Sequence, residues 1–217
     1  MLEKWKRANK GKKYADLVGH DNLKDAIRHA CVTEQHGLCA YCCCRITVEK
    51  GSARNEHVEA QYLAPHRTLD FNNIVASCTQ AGRCDDAHGR QPLPLTPLMI
   101  ECESELQFEL SGLVAGLTPR ACVSIKTLNL GDTHASNRGL VGERKRMIDA
   151  LLFSCSMNPG ELLAEEDDVL DLLKDELLES DAQRLLQAFS PVLVNVIRSI
   201  QAARHPESAL QTRFIPR

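Results

Sequence analysis

Two short cysteine pairs, Cys39-x-x-Cys42 and Cys78-x5-Cys84, constrain this chain more than any other feature. A tetrahedral Zn²⁺ site takes four soft ligands, and each short spacing supplies two of them. Drawn onto one ion, the pairs close a loop of 35 residues between Cys42 and Cys78. Four thiolates leave no open position on the metal, so this zinc is structural. A redox Cys-x-x-Cys would leave the second pair without a purpose. Cys43 and Cys44 directly follow the first pair, which leaves open whether one of them replaces a zinc ligand. Cys31, Cys102, Cys122 and Cys155 stand alone and are expected to behave as small buried hydrophobes.

The clamped stretch carries reactive groups in a definite order: Glu56-His57, then Asn73, then Asp85 and His88 just past the last cysteine. Phosphodiester cleavage needs an activated water, a base and a cation at the leaving oxygen. His57 suits the base, because imidazole titrates near neutrality. Glu56 can hold a hard cation such as Mg²⁺ or Mn²⁺ through oxygen, with Asp85 or His88 as the further ligand. Asn73 is expected to hydrogen-bond the loop and the imidazole, fixing the tautomer. Each group alone is commonplace on a protein surface; their order between two zinc pairs points to a metal-dependent nuclease.

Periodicity and turn residues set the rest. A basic arm with Lys4, Lys6, Arg7, Lys10, Lys12 and Lys13 around Trp5 precedes a helix over residues 22–35, capped by Asp21 or Asn22 and ended by Gly37. Strands are expected at 45–49 and within 53–61, apolar residues 74 and 75 lead into Cys78, and a short helix starts near Cys84 and stops before Pro92. A hairpin over 106–117 is followed by helices at 119–129 and 133–154, the latter presenting Arg138, Arg144, Lys145 and Arg146 on its surface. Residues 161–179 read as one acidic amphipathic helix and 182–204 as another, paired antiparallel, with a loose tail beyond His205. The fold class is therefore α+β: an N-terminal helix, a zinc-stapled ββα core, and a mostly helical C-terminal half. The expected organisation is 1–37 (arm and helix), 38–91 (core), 92–158 (hairpin and helices packing on the core) and 159–217 (helical hairpin and tail).

Charge supports a phosphate-rich partner. Residues 161–181 hold ten acids and one lysine, so against a total of −3 the remainder is net +6. No apolar run approaches the length needed to span a bilayer, and the basic N-terminus lacks a following apolar core, so a cytoplasmic location and no membrane partner are expected.

The succession CAYC, EH, NIVxxC and CDxxHG resembles the HNH (ββα-metal) endonucleases. KWKRAN, EQHGLCAYC, LPLTP, ECESELQFELSGLV, SIKTLNLG and NRGLVGERKRMID extend the likeness over roughly residues 1–155, to the PtuB-like HNH subunits of Septu and retron-associated antiphage defence. The resemblance implies a nuclease acting on nucleic acid, DNA by preference, beside a PtuA-like ABC-type ATPase. It makes His57 the general base, Asn73 the middle asparagine and Glu56 a metal-side carboxylate. Asp85 stands where many such proteins have histidine or asparagine, and His88 where lysine is common. A stand-alone HNH enzyme and a non-catalytic zinc module are the competing expectations.

Overall fold

In the computed structural model, which describes residues 2–205, helix α2 (Asp21–Glu34) forms where apolar residues recur on one face. Leu23, Ile27, Cys31 and Val32 are buried by it. His20 precedes the first turn without a side-chain cap, so neither Asp21 nor Asn22 takes the expected capping role. At the other end Gly37 adopts φ +72° and donates its N–H to the Val32 carbonyl (2.9 Å), the left-handed closure that frees a helix end from its axis. The basic arm before α2 carries a helix of its own: α1 (Leu2–Ala8) buries Leu2 and sets Trp5 edge-on to His20, 5.7 Å between ring centroids.

Strands β1 (Ala53–His57) and β2 (Ile74–Cys78) pair antiparallel, with Ala53 opposite Cys78 and His57 opposite Ile74. Helix α2 packs on them, and the amide of Gln35 extends the ladder sideways, donating to the Ala76 carbonyl (2.8 Å) and accepting from the Ala76 N–H (2.7 Å). Helix α3 (Asp85–His88) completes the ββα unit. The strand expected at 45–49 is reduced to one bridge between Leu38 and Arg45, because the Ser52 hydroxyl takes the Thr47 N–H in a turn.

After α4 (Cys102–Glu105), strands β3 (Leu106–Phe108) and β4 (Val114–Gly116) form the expected hairpin. Gly112 turns it at φ +85° with the backbone of Val141 and Lys145 pressed against the position a Cβ would occupy. Helix α5 (Pro119–Thr127) starts on a Thr118 cap. Helix α6 (Arg138–Ser154) starts five residues later than its pattern suggests, since Thr133 and Ser136 close a polar turn and Asn137 caps the first turn. The acidic helix is two pieces, α7 (Pro159–Ala164) and α8 (Asp167–Leu178). Arg204 holds the break open by donating to the Leu163 and Glu165 carbonyls (2.7 and 2.6 Å).

The last helix, α9, covers Ser190–Arg204 only, with Pro191 in its first turn. Residues 182–189 instead form a turn whose Leu186 and Phe189 N–H groups bond to the carbonyls of His36 (3.0 Å) and Cys43 (2.9 Å). Helices α8 and α9 run antiparallel, Asp167 at the start of one meeting Arg204 at the end of the other (2.9 Å). The fold is thus α+β with a helical C-terminal half, and its apolar core runs unbroken from Leu2 to Ile197. The tail expected beyond His205 lies outside the described residues. No helix among the described residues is long and apolar enough to cross a membrane.

Candidate functional site

The four cysteines of the two pairs converge. Cys39 and Cys42 sit in the tight turn after Gly37, where Cys43 donates back to the Cys39 carbonyl (3.0 Å); Cys78 ends β2, and Cys84 precedes α3 with φ +55°. Their sulfurs all lie within 4.8 Å of one another, with Cys39–Cys84 and Cys42–Cys78 both at 3.9 Å. Zn–S bonds of about 2.3 Å in a tetrahedron place sulfurs about 3.8 Å apart, so the quartet can hold zinc with sulfur shifts of about 1 Å at most. Cys43 stands outside the quartet, whereas the Cys44 thiol lies against Cys39, Cys42 and Cys78 without being one of the four. The Cys78 N–H points at the Cys39 sulfur (3.3 Å), as expected for a thiolate acceptor.

Neighbouring thiols pull Cys78 well below the ordinary thiol range; Cys39 falls too although burial opposes it, while Cys42 and Cys84 rise. Such crowding of thiols resolves once a dication balances the charge. Four thiolates around Zn²⁺ still carry two negative charges in a buried site. Arg83 and Arg144, 6% and 0% exposed, lie within the field of these sulfurs. Arg144 is therefore not a surface cation: its guanidinium donates to the carbonyls of Gly112 (2.6 Å) and Leu130 (3.2 Å) beside the Phe108 ring. Of the isolated cysteines only Cys31 is buried; Cys102 and Cys155 are half-buried and Cys122 is exposed.

The pleat of β1 sorts the reactive residues. Arg54 and Glu56 face α3, whereas Asn55 and His57 face Tyr14, whose hydroxyl accepts from the Asn55 amide (2.8 Å). Glu56, His57 and Asp85 nevertheless line one cleft of about 430 Å³, open at its rim. His57 donates from Nε2 to the Thr68 carbonyl (2.9 Å), which leaves Nδ1 as the ring's lone pair. Tyr14 braces the ring edge-on at 4.8 Å. Burial depresses the His57 pKa and keeps the imidazole neutral, the form a base requires.

Asn73 does not touch that imidazole. Its side chain accepts from the Glu59 N–H (2.8 Å) and donates to the Glu59 carbonyl (3.1 Å), pinning the loop after β1; the backbone of Thr68 sets the tautomer instead.

Glu56 and His88 meet at 2.5 Å, Oε1 to Nδ1. His88 spends Nε2 on the Gln91 carbonyl (2.9 Å), so a single proton must lie between its Nδ1 and the Glu56 carboxyl. Burial, with the Asp85 charge beside it, pushes the Glu56 carboxyl up to about 7. A buried carboxylate and an imidazole lone pair converging on one proton are a donor set that also suits a divalent cation. Asp85, close enough to Glu56 to raise its carboxyl, is itself paired with Arg54 at 3.3 Å. Glu56, Asp85 and His88 are therefore not gathered as one three-donor cluster; the cysteine quartet is the one such cluster among the described residues.

Sequence reasoning passed over Tyr14, Thr68 and Tyr41. Tyr41, the tyrosine inside CAYC, donates its hydroxyl to Glu56 Oε1 (3.3 Å), and burial keeps that phenol protonated. Its position between Cys39 and Cys42 was the available signal. Thr68 acts through its backbone, for which a sequence carries no sign. Neither the protein-family models nor the curated proteins contain a match to this chain.

Proposed function

We propose that this chain is a metal-dependent endonuclease of the HNH type that hydrolyses phosphodiester bonds in nucleic acid, DNA by preference. The observation that carries the reading is His57: a buried, neutral imidazole with Nε2 committed to Thr68 and Nδ1 free, in the same cleft as two carboxylates. His57 Nδ1 accepts the proton of a water as its oxygen bonds to phosphorus; the bond from phosphorus to the 3′ oxygen breaks, leaving a 5′ phosphate. Thr68 and Tyr14 hold the ring on line while it is charged. Mg²⁺ or Mn²⁺, held by Glu56 with Asp85 or His88, would supply charge neutralisation at the departing oxygen. The zinc quartet fixes Cys78 and Cys84, and through them the ends of β2 and α3, so the carboxylate side and the base keep their spacing.

The motif resemblance supports a further step, in which the chain is the cytoplasmic effector of a Septu-like defence complex with a PtuA-like ATPase. Native mass spectrometry of the chain co-expressed with such an ATPase should then show a stable assembly.

The central test is His57→Ala on supercoiled plasmid with Mg²⁺ or Mn²⁺. Nicking should fall by about 10²–10⁴, the usual worth of a positioned general base, with zinc content and circular dichroism unchanged. A folded variant that nicks like the wild type would refute the assignment.

A further inference from the structure

The lip of the catalytic cleft carries an exposed tyrosine. Tyr62 sits at the tip of a tight turn in which Leu63 and Ala64 both donate to the Ala60 carbonyl (2.8 and 3.0 Å), and the residue is 74% exposed. The base of that turn is the loop pinned by Asn73, so the ring is presented on a rigid support. The Arg90 guanidinium lies over it, 6.0 Å from the ring centroid, and both residues line the cleft that holds His57. Asp85, the acid of the same wall, pairs with Arg54 and leaves Arg90 to solvent.

An aromatic face and a cation side by side match one nucleotide, since the ring can stack on a base while the guanidinium reaches its phosphate. In a continuous duplex each base face is already covered by its neighbours, so a ring at the lip finds nothing to stack on. We infer that Tyr62 and Arg90 form a nucleotide clamp beside the scissile phosphate, selecting single-stranded or unstacked nucleic acid over intact duplex. This rests on the nuclease reading for the identity of the cleft, but its test is a binding measurement that needs no turnover.

The experiment is fluorescence anisotropy of the full chain carrying His57→Ala, titrated onto a labelled DNA strand of about 16 nucleotides and onto the same sequence as duplex. Tyr62→Ala should weaken single-strand binding by roughly 5- to 100-fold, with duplex binding unchanged and Tyr62→Phe close to the parent, as stacking on one base requires. Arg90→Ala should lower the salt dependence by about 0.7 in the log–log slope, the value of one phosphate contact on a single strand. An unchanged single-strand affinity in Tyr62→Ala, or an equal loss on duplex, overturns the clamp. Tyr62-dependent binding by a wild-type chain that cuts nothing would overturn the nuclease and keep the clamp. Cleavage by a wild-type chain whose Tyr62→Ala variant binds normally would do the reverse.

Discussion

Replacing Glu56 by glutamine separates what this residue costs the fold from what it contributes to chemistry. Glu56 is 7% exposed, and burial, reinforced by Asp85 and opposed by His88, raises its carboxyl from an ordinary 4.5 to about 7. The folded chain therefore keeps this proton after the unfolded chain has released it, so stability is full below about pH 4.5 and is lost as pH climbs through 7. At about 1.4 kcal/mol per pH unit, that gap is worth about 3 kcal/mol by pH 8. His88 acts in the same sense. Burial lowers it but the bond to Glu56 raises it further, so its contribution is present below the ordinary histidine value and fades as pH rises. In the Glu56→Gln variant the new side-chain amide donates to His88 Nδ1 with no charge to lose. Guanidinium unfolding of zinc-loaded, magnesium-free protein, followed by circular dichroism between pH 5 and 8, should show the wild type losing about 2–3 kcal/mol. Glu56→Gln should stay nearly flat and be the more stable protein at pH 8, yet lose plasmid nicking. Added Mg²⁺ should restore the wild type at pH 8 and leave the variant unmoved. A wild type whose stability is constant or rises over this range would refute the shared-proton account.

Two further outcomes concern the cysteine quartet. A paired sheet of two five-residue strands has little stability of its own, so a strong chelator or Cys78→Ser should release amide-exchange protection in β1 and β2 before α6 and α9; equal protection with and without metal would contradict this. Arg144→Met leaves two buried carbonyls without their donor and the thiolate cluster with Arg83 alone of its two counter-charges, an expected loss of about 3–5 kcal/mol in urea unfolding with weaker zinc retention in a competition assay.

The parts of the site legible in the sequence were those set over a few residues. Cys-x-x-Cys places two sulfurs in one turn, and Glu56-His57 on a five-residue strand must alternate across its pleat. Leu23, Ile27 and Cys31 marked α2 because one helix face repeats every three to four residues. Misreadings came where a distant partner decided. Arg144 looks like any helix-surface cation until the hairpin carbonyl of Gly112, 32 positions away, draws it inward. The acidic run looks like one helix until Arg204, 39 positions on, claims the Glu165 carbonyl. Asn73 was expected to orient His57, but the loop it pins brings Thr68 there instead.

Local chemistry thus marked which residues could serve as metal ligand, base and acid, because side-chain type and short spacing are properties of the chain itself. Tertiary structure alone decided which nitrogen of His57 is free, that Glu56 shares a proton with His88, and that Tyr62 stands beside Arg90 at the cleft lip. These depend on groups brought together by loop closure, and on carbonyl oxygens that every residue possesses and no sequence distinguishes.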